Sequence, residues 1–173
     1  MLKNKPKKPY NTGKINIIYG FHAVKAALLN NQREHHELLI SENNNKIANN
    51  YRSKIKKITV LNQKDFKKLY GSEKSTQGIV LKTKDFERPS LEQFLKNENF
   101  NNRSVVVALD QITDPQNIGS IMRSCALFNC KGILIAKDNS PDLTPSLYKA
   151  ASGAAEIVNY FRVTNLKRSI SEL

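Results

Sequence analysis

Apolar and polar positions change rhythm along the chain, and each change marks an element. From Tyr19, "YGFHAVKAALLN" sets Phe21, Val24, Ala27 and Leu28 three and four residues apart, the spacing of one helix face. "HELLIS" (36–41) and "KKITVLN" (56–62) read as short strands, and between them "NNNKIANNYRSK" (43–54) reads as a helix with an Asn-rich start. "QKDFKKLYG" predicts a short helix closed by Gly71, and "QGIVLKT" predicts another strand. Short helices alternating with short strands predict a small α/β domain over residues 16–86.

A charged break follows over residues 87–102, read as a linker. It contains a short helix from Leu91 to Lys96 with Ser90 as its N-cap. The rhythm then changes. "SVVVALD" and "KGILIAKD" are continuous apolar runs, the kind buried on both faces of a parallel sheet. "TPSLYKAASG" predicts a helix with Pro145 in its first turn and Gly153 past its end. "AAEIVNYFRV" predicts a strand, and "TNLKRSISEL" a helix capped by Thr164 or Asn165. Strand, loop and helix repeated in this way predict an open parallel sheet over residues 103–173. Its ligand sites would lie beyond the carboxyl ends of the strands.

The stretch "DQITDPQNIGSIMRSC" (110–125) stands at one such end. Asp114-Pro115 forces a turn, Asn117 is placed to cap the following helix, and Gly119 admits close approach of another backbone or a ligand. At about 100° per residue, Ile118, Ile121, Met122, Cys125 and Phe128 share one apolar arc, and Arg123 points away from it. A helix start, an Asn and an Arg together suit an anion such as a phosphate. The stretch is neither a dinucleotide fingerprint nor a phosphate-binding Walker loop. His22, His35 and His36 have no ligand spacing, His22 reads as structural, and no metal site is expected.

Net charge sharpens the picture. The 173 residues carry +13, and residues 1–100 hold 20 Lys+Arg against 9 Asp+Glu. A basic first half points to a polyanionic partner, RNA or DNA. Residues 1–15 are basic and without periodicity, a disordered arm whose Lys3, Lys5, Lys7, Lys8 and Lys14 are candidates for touching phosphate. No apolar run is long enough to span a bilayer. No secretory signal is read at the start, so a cytoplasmic protein is expected. Cys125 and Cys130 read as two reduced core thiols.

"LDQITDPQNIGSIMRSCALFNCKGILI" resembles the first motif of the SpoU, or TrmH-type, RNA 2′-O-ribose methyltransferases, members of the SPOUT class with a deep trefoil knot. "LTPSLYKAASGAAEIVNYFRVTNLKRSISEL" is similar to the segment between that family's first and second motifs. "IYGFHAVKAALLN", "HELLIS" and "STQGIVLK" resemble the L30e-like RNA-binding domain that precedes the catalytic domain in the 23S rRNA guanosine-2′-O-methyltransferases. The resemblance implies methyl transfer from S-adenosylmethionine to a ribose 2′-hydroxyl, with Arg123 and Asn117 as catalytic residues. It implies rRNA, or tRNA, as partner. The family's later motifs, a Gly-x-Glu-Gly-like turn and an Ile-Pro-Met…Ser-Leu-Asn-Val-Ser stretch, form the knot and most of the cofactor pocket, and both would lie beyond Leu173. The expectation is therefore an incomplete parallel-sheet domain lacking the knot. As a free chain it would be inactive, or completed by a homodimer partner or a C-terminal fragment. The alternative is a non-catalytic RNA-binding module.

Overall fold

The structure is a computed structural model that describes residues 15–71, 73–138 and 140–173. The basic arm of residues 1–14, with Lys3, Lys5, Lys7, Lys8 and Lys14, lies outside the described residues.

Two sheets organise the chain. The first has the strand order β1 (Ile15–Tyr19), β4 (Ile79–Lys84), β2 (His35–Ser41), β3 (Ile58–Leu61). β1 and β2 each run antiparallel to β4, and β2 runs parallel to β3. Consecutive residues of β2 and β4 are buried, and their side chains alternate between two cores, as expected of strands covered on both sides. Leu38, Ile40, Ile79 and Leu81 face one core. Leu39 and Val80 face Phe66 on the other side. Phe66 belongs to helix α3 (Gln63–Tyr70), capped by Asn62 and closed by Gly71 at φ 80°. Helix α1 (Phe21–Leu29) covers the opposite face and buries Ala23, Val24, Ala27 and Leu28.

The second sheet is parallel throughout, in the order β5 (Val106–Leu109), β6 (Gly132–Ala136), β7 (Tyr160–Val163). Helices α6 (Pro115–Leu127) and α7 (Pro145–Ala151) cover one face. α5 (Leu91–Asn97) and α8 (Leu166–Ser171) cover the other. Ser90 caps α5 with Gln93 returning the bond as a capping box, and Phe94 packs 4.8 Å from Phe161, ring centre to ring centre. Asn165 caps α8. One buried cluster joins Ile18, Val24, Leu28 and Leu81 of the first half to Ile118, Met122, Ile133 and Tyr148 of the second.

Several expectations are corrected. Ile15–Tyr19 is a strand that the pattern did not reveal, because among its five residues only Ile18 is fully buried. Residues 43–54 form no single helix. Two short 3-10 turns flank α2 (Asn45–Ala48), since Asn side chains compete for the backbone groups a helix would use. β5 is an edge strand with Val105 half exposed, so the run "SVVVAL" is not buried on both faces. Only residues 160–163 of "AAEIVNYFRV" are strand, and Ala154–Glu156 form a 3-10 turn. A short helix, α4 (Glu73–Thr76), precedes β4. His22 is exposed on α1 and fills no structural role inside the core. Phe128 is 75% exposed at the helix end. It falls outside the apolar arc because the helix has already ended at Leu127.

Candidate active site

The strand β5 delivers the chain to the carboxyl edge of the parallel sheet, where Asp110 is exposed and Gln111 takes a left-handed turn at φ 54°. Asp114 caps α6. Its carboxylate accepts from Gln116 N at 3.0 Å, with Pro115 at the first helical position. Asn117 is therefore not the cap. Pro115 has no N–H to satisfy and a φ suited to a helix start, so the helix begins two residues before the Asn, with its cap at Asp114. The Asn117 amide is exposed and makes no hydrogen bond with another described residue.

The apolar arc of α6 buries Ile118, Met122 and Cys125. Gly119 is buried as well, because α7 crosses it at backbone contact. A Cβ on Gly119 would lie 2.5 Å from Ala150 Cβ. The opposite side of α6 is an exposed polar stripe through Gln116, Asn117, Ser120, Arg123 and Ser124. Asn117 and Arg123 lie on its two borders, about 120° apart around the helix and about 9 Å along it. The structure places both on the same exposed face without bringing them together, and Ser120 lies between them.

Arg123 is held from the side. Its Nη1 donates to the carbonyl of Ala150 at 3.3 Å, in the last turn of α7, where helix carbonyls carry partial negative charge. That bond uses one of the five guanidinium N–H groups. The others face the solvent side of α6 and remain available to an anion.

Near the exit of β6, Lys137, Ser140 and Asp142 are held by β7. Arg162 Nη2 donates to Lys137 O at 3.0 Å and to Ser140 O at 3.2 Å, and Nη1 stands 3.3 Å from Asp142. Tyr160 donates its hydroxyl to Pro141 O, and burial pushes that phenol up to about 12. Ser140 Oγ and Arg162 Nε are buried without partners. These bonds tie Lys137, Ser140, Pro141 and Asp142 to β7.

Among the described residues no cluster of His, Cys, Asp and Glu suits a metal ion. No described helix is long and apolar enough to cross a membrane. Cys125 and Cys130 are free thiols on the far side of α6. Burial, reinforced by Cys130 beside it, raises the Cys125 thiol to about 11.

Sequence reasoning named the arm lysines and missed a second basic surface. Lys64, Lys67 and Lys68 lie exposed on α3, with Phe66 of the same helix buried in the core, and Lys54 and Lys56 are exposed before β3. The signal was present in "QKDFKKLY", where lysines recur at three and four residues around one buried Phe.

Two family models match the chain, in the order of its two sheets. Residues 17–89 match the RNA 2′-O ribose methyltransferase substrate-binding domain, and residues 104–173 match the SpoU rRNA methylase family. The chain belongs to the SpoU methylase family. Its relatives in that family include the 23S rRNA (guanosine-2′-O-)-methyltransferase RlmB of Acinetobacter baylyi. That protein is 38% identical over 100 residues, covering 56% of this chain and 39% of the relative. RlmB of Coxiella burnetii is 30% identical over 168 residues, covering 92% of this chain and 66% of the relative. The chain thus spans less than two thirds of either SpoU relative's length. Among solved structures, the SpoU methyltransferase AviRb from Streptomyces viridochromogenes, in complex with AdoMet, superposes with a TM-score of 0.70 at 16% identity. The match covers 91% of this chain and 58% of AviRb. An AdoMet-bound rRNA methyltransferase from Sinorhizobium meliloti gives a TM-score of 0.65 at 18% identity, over 91% of this chain and 57% of its own. The α/β fold with its parallel sheet is that of the SpoU methyltransferases.

Proposed function

We propose that this chain binds rRNA through its first half and presents Arg123 to a ribose 2′-hydroxyl, as part of an S-adenosylmethionine-dependent 2′-O-methyltransferase acting on guanosine. Family membership supports the reaction class, and the RlmB relatives support 23S rRNA guanosine as target. The observation that carries the reading is the guanidinium of Arg123, anchored by one bond to Ala150 O and open on its other donors.

A ribose hydroxyl is a weak nucleophile until its proton leaves. A guanidinium holds its own proton and cannot serve as the base. Arg123 therefore acts as an electrostatic partner, placed to favour the developing 2′-oxyanion and an adjacent phosphate. S-adenosylmethionine supplies the electrophilic methyl group when bound. Asn117, exposed and with a free amide, contacts the nucleotide from the other border of the polar stripe. A homodimer is part of the same proposal, and light scattering of the purified chain reads it directly.

The test is transfer of a labelled methyl group from S-adenosylmethionine to 23S rRNA by the parent chain supplied with the C-terminal portion of an RlmB relative, and by Arg123→Ala in the same mixture. Arg123 is exposed, so the variant keeps its thermal unfolding to within about 0.5 kcal/mol. Transfer falls at least ~100-fold. Full transfer by the variant would sink the role assigned to Arg123.

A further inference from the structure

Arg33 lies between β-sheet halves and is only 5% exposed. An arginine so deeply buried is uncommon unless it is paired, and its partners come from both halves of the chain. Nε and Nη2 make a two-pronged bond to the Glu156 carboxylate, at 2.8 and 2.9 Å. Nη2 also donates to the Tyr148 hydroxyl at 2.9 Å, and Nη1 to Lys84 O at 3.0 Å. Asp85 stands 3.4 Å from Nη1. Glu156 receives a further bond from Asn30 at 2.8 Å. Asn30, Arg33, Lys84 and Asp85 belong to the substrate-binding half, and Tyr148 and Glu156 to the methylase half. Burial works against the charge of Arg33, yet the Glu156 bond and the nearby Tyr148 and Asp85 together outweigh it and raise its pKa.

The methylase side of this network is α7 and the 3-10 turn Ala154–Glu156 that follows it. Tyr148 sits on α7, and Glu156 follows one turn beyond it, after Gly153, whose Cβ position would lie 2.7 Å from Ala26 of α1. The same α7 presses on Gly119 and offers Ala150 O to Arg123. One seven-residue helix therefore touches Arg33 at Tyr148 and Arg123 at Ala150.

We propose that Arg33 is a positioning residue, whose pairing with Glu156 and Tyr148 sets the orientation of the substrate-binding half relative to α7 and so to Arg123. RNA held on the first half then meets the guanidinium at one fixed geometry. This rests on the methyltransferase reading for its consequence in catalysis, and on the structure alone for the orientation.

The experiment uses the full chain with Cys125 and Cys130 replaced by Ala, carrying a label pair at Gln63→Cys and Lys167→Cys, one in each half. Arg33→Lys keeps the charge and loses the fork. Glu156→Gln keeps the shape and loses the charge. The expected result is a single narrow inter-label distance in the parent and a broadened distribution in both variants, with cooperative unfolding retained. An equally narrow distribution in both variants would overturn the proposal. With S-adenosylmethionine and an rRNA fragment, kcat falls about tenfold or more in the variants while KM for RNA stays within about twofold, as expected when a reacting group is misplaced. A raised KM at unchanged kcat makes Arg33 an RNA contact and also overturns it. With the C-terminal portion of an RlmB relative supplied, absence of transfer by the parent would count against the proposed function and leaves the distance measurement to decide Arg33.

Discussion

Gly119 of α6 meets the backbone between Ala150 and Ala151 of α7 with no room for a side chain. A Cβ there would lie 2.7 Å from Ala150 C and 2.8 Å from Ala151 N. Those atoms are main chain and cannot rotate aside. By helix propensity alone Gly119→Ala would gain about 1 kcal/mol. Overpacking against α7 costs about 1–3 kcal/mol and wins, because the helix must move bodily. The expected outcome is a Tm lower by several degrees in calorimetry. A raised Tm would place α7 elsewhere.

Two residues at the start of α6 separate cap from contact. Asp114→Ala removes the acceptor of Gln116 N and is expected to cost about 1 kcal/mol in denaturant unfolding. Asn117→Ala changes stability by less than about 0.5 kcal/mol and weakens only the handling of RNA. The reverse ranking would restore Asn117 as the cap.

The basic face of α3 is expected to bind phosphate. Replacing Lys64, Lys67 and Lys68 together by Ala leaves Phe66 and the core untouched. Each neutralised phosphate contributes a slope of about 0.7 to 0.9 to the fall of log affinity with log salt. The triple variant is predicted to reduce that slope by about two for an rRNA fragment, read by fluorescence anisotropy across a salt series. An unchanged slope would remove α3 from the interface.

Glu37 makes the first sheet sensitive to acid. Its carboxylate lies 2.8 Å from Lys57 and 2.9 Å from Lys82, with Thr59 donating at 2.9 Å. Lys57 first, then Lys82, hold its pKa down to about 2 from an ordinary 4.5. A depressed carboxylate contributes stability that is fully present above about pH 4.5 and is lost as pH falls towards 2. Solvent reaches the lysines, so the contribution is about 1 kcal/mol. Glu37→Gln should lower Tm above about pH 5 by what the pairing contributes, and flatten the profile across that window. An identical acid profile in the variant would refute the pairing.

Much of the local structure was legible because its causes are local. Ser90 with Gln93, Asn62 with Asp65, and Asn165 with Arg168 are caps closed within three residues. The candidate site was legible in part. The helical period placed Arg123 on the polar side of α6, and it is exposed there. The cap was misassigned to Asn117 because Asn and Asp offer the same acceptor, and Pro115 at the first helical position decides between them. β1 escaped notice since its pairing with β4 joins Ile15 to Lys84, and no window of a few residues contains both.

By itself the sequence determined most of the helices and strands, where several helices start, which face of α6 is apolar, and the family that its two halves belong to. Tertiary structure alone decided that β5 lies at an edge, that Arg33 is buried on Glu156, and that Arg123 rests on Ala150 O. The physical reason is separation along the chain. A cap or an apolar stripe is settled by groups already near one another, whereas Arg33 and Glu156 are 123 residues apart. Contacts of that kind form only when packing of the whole core repays the loss of chain freedom.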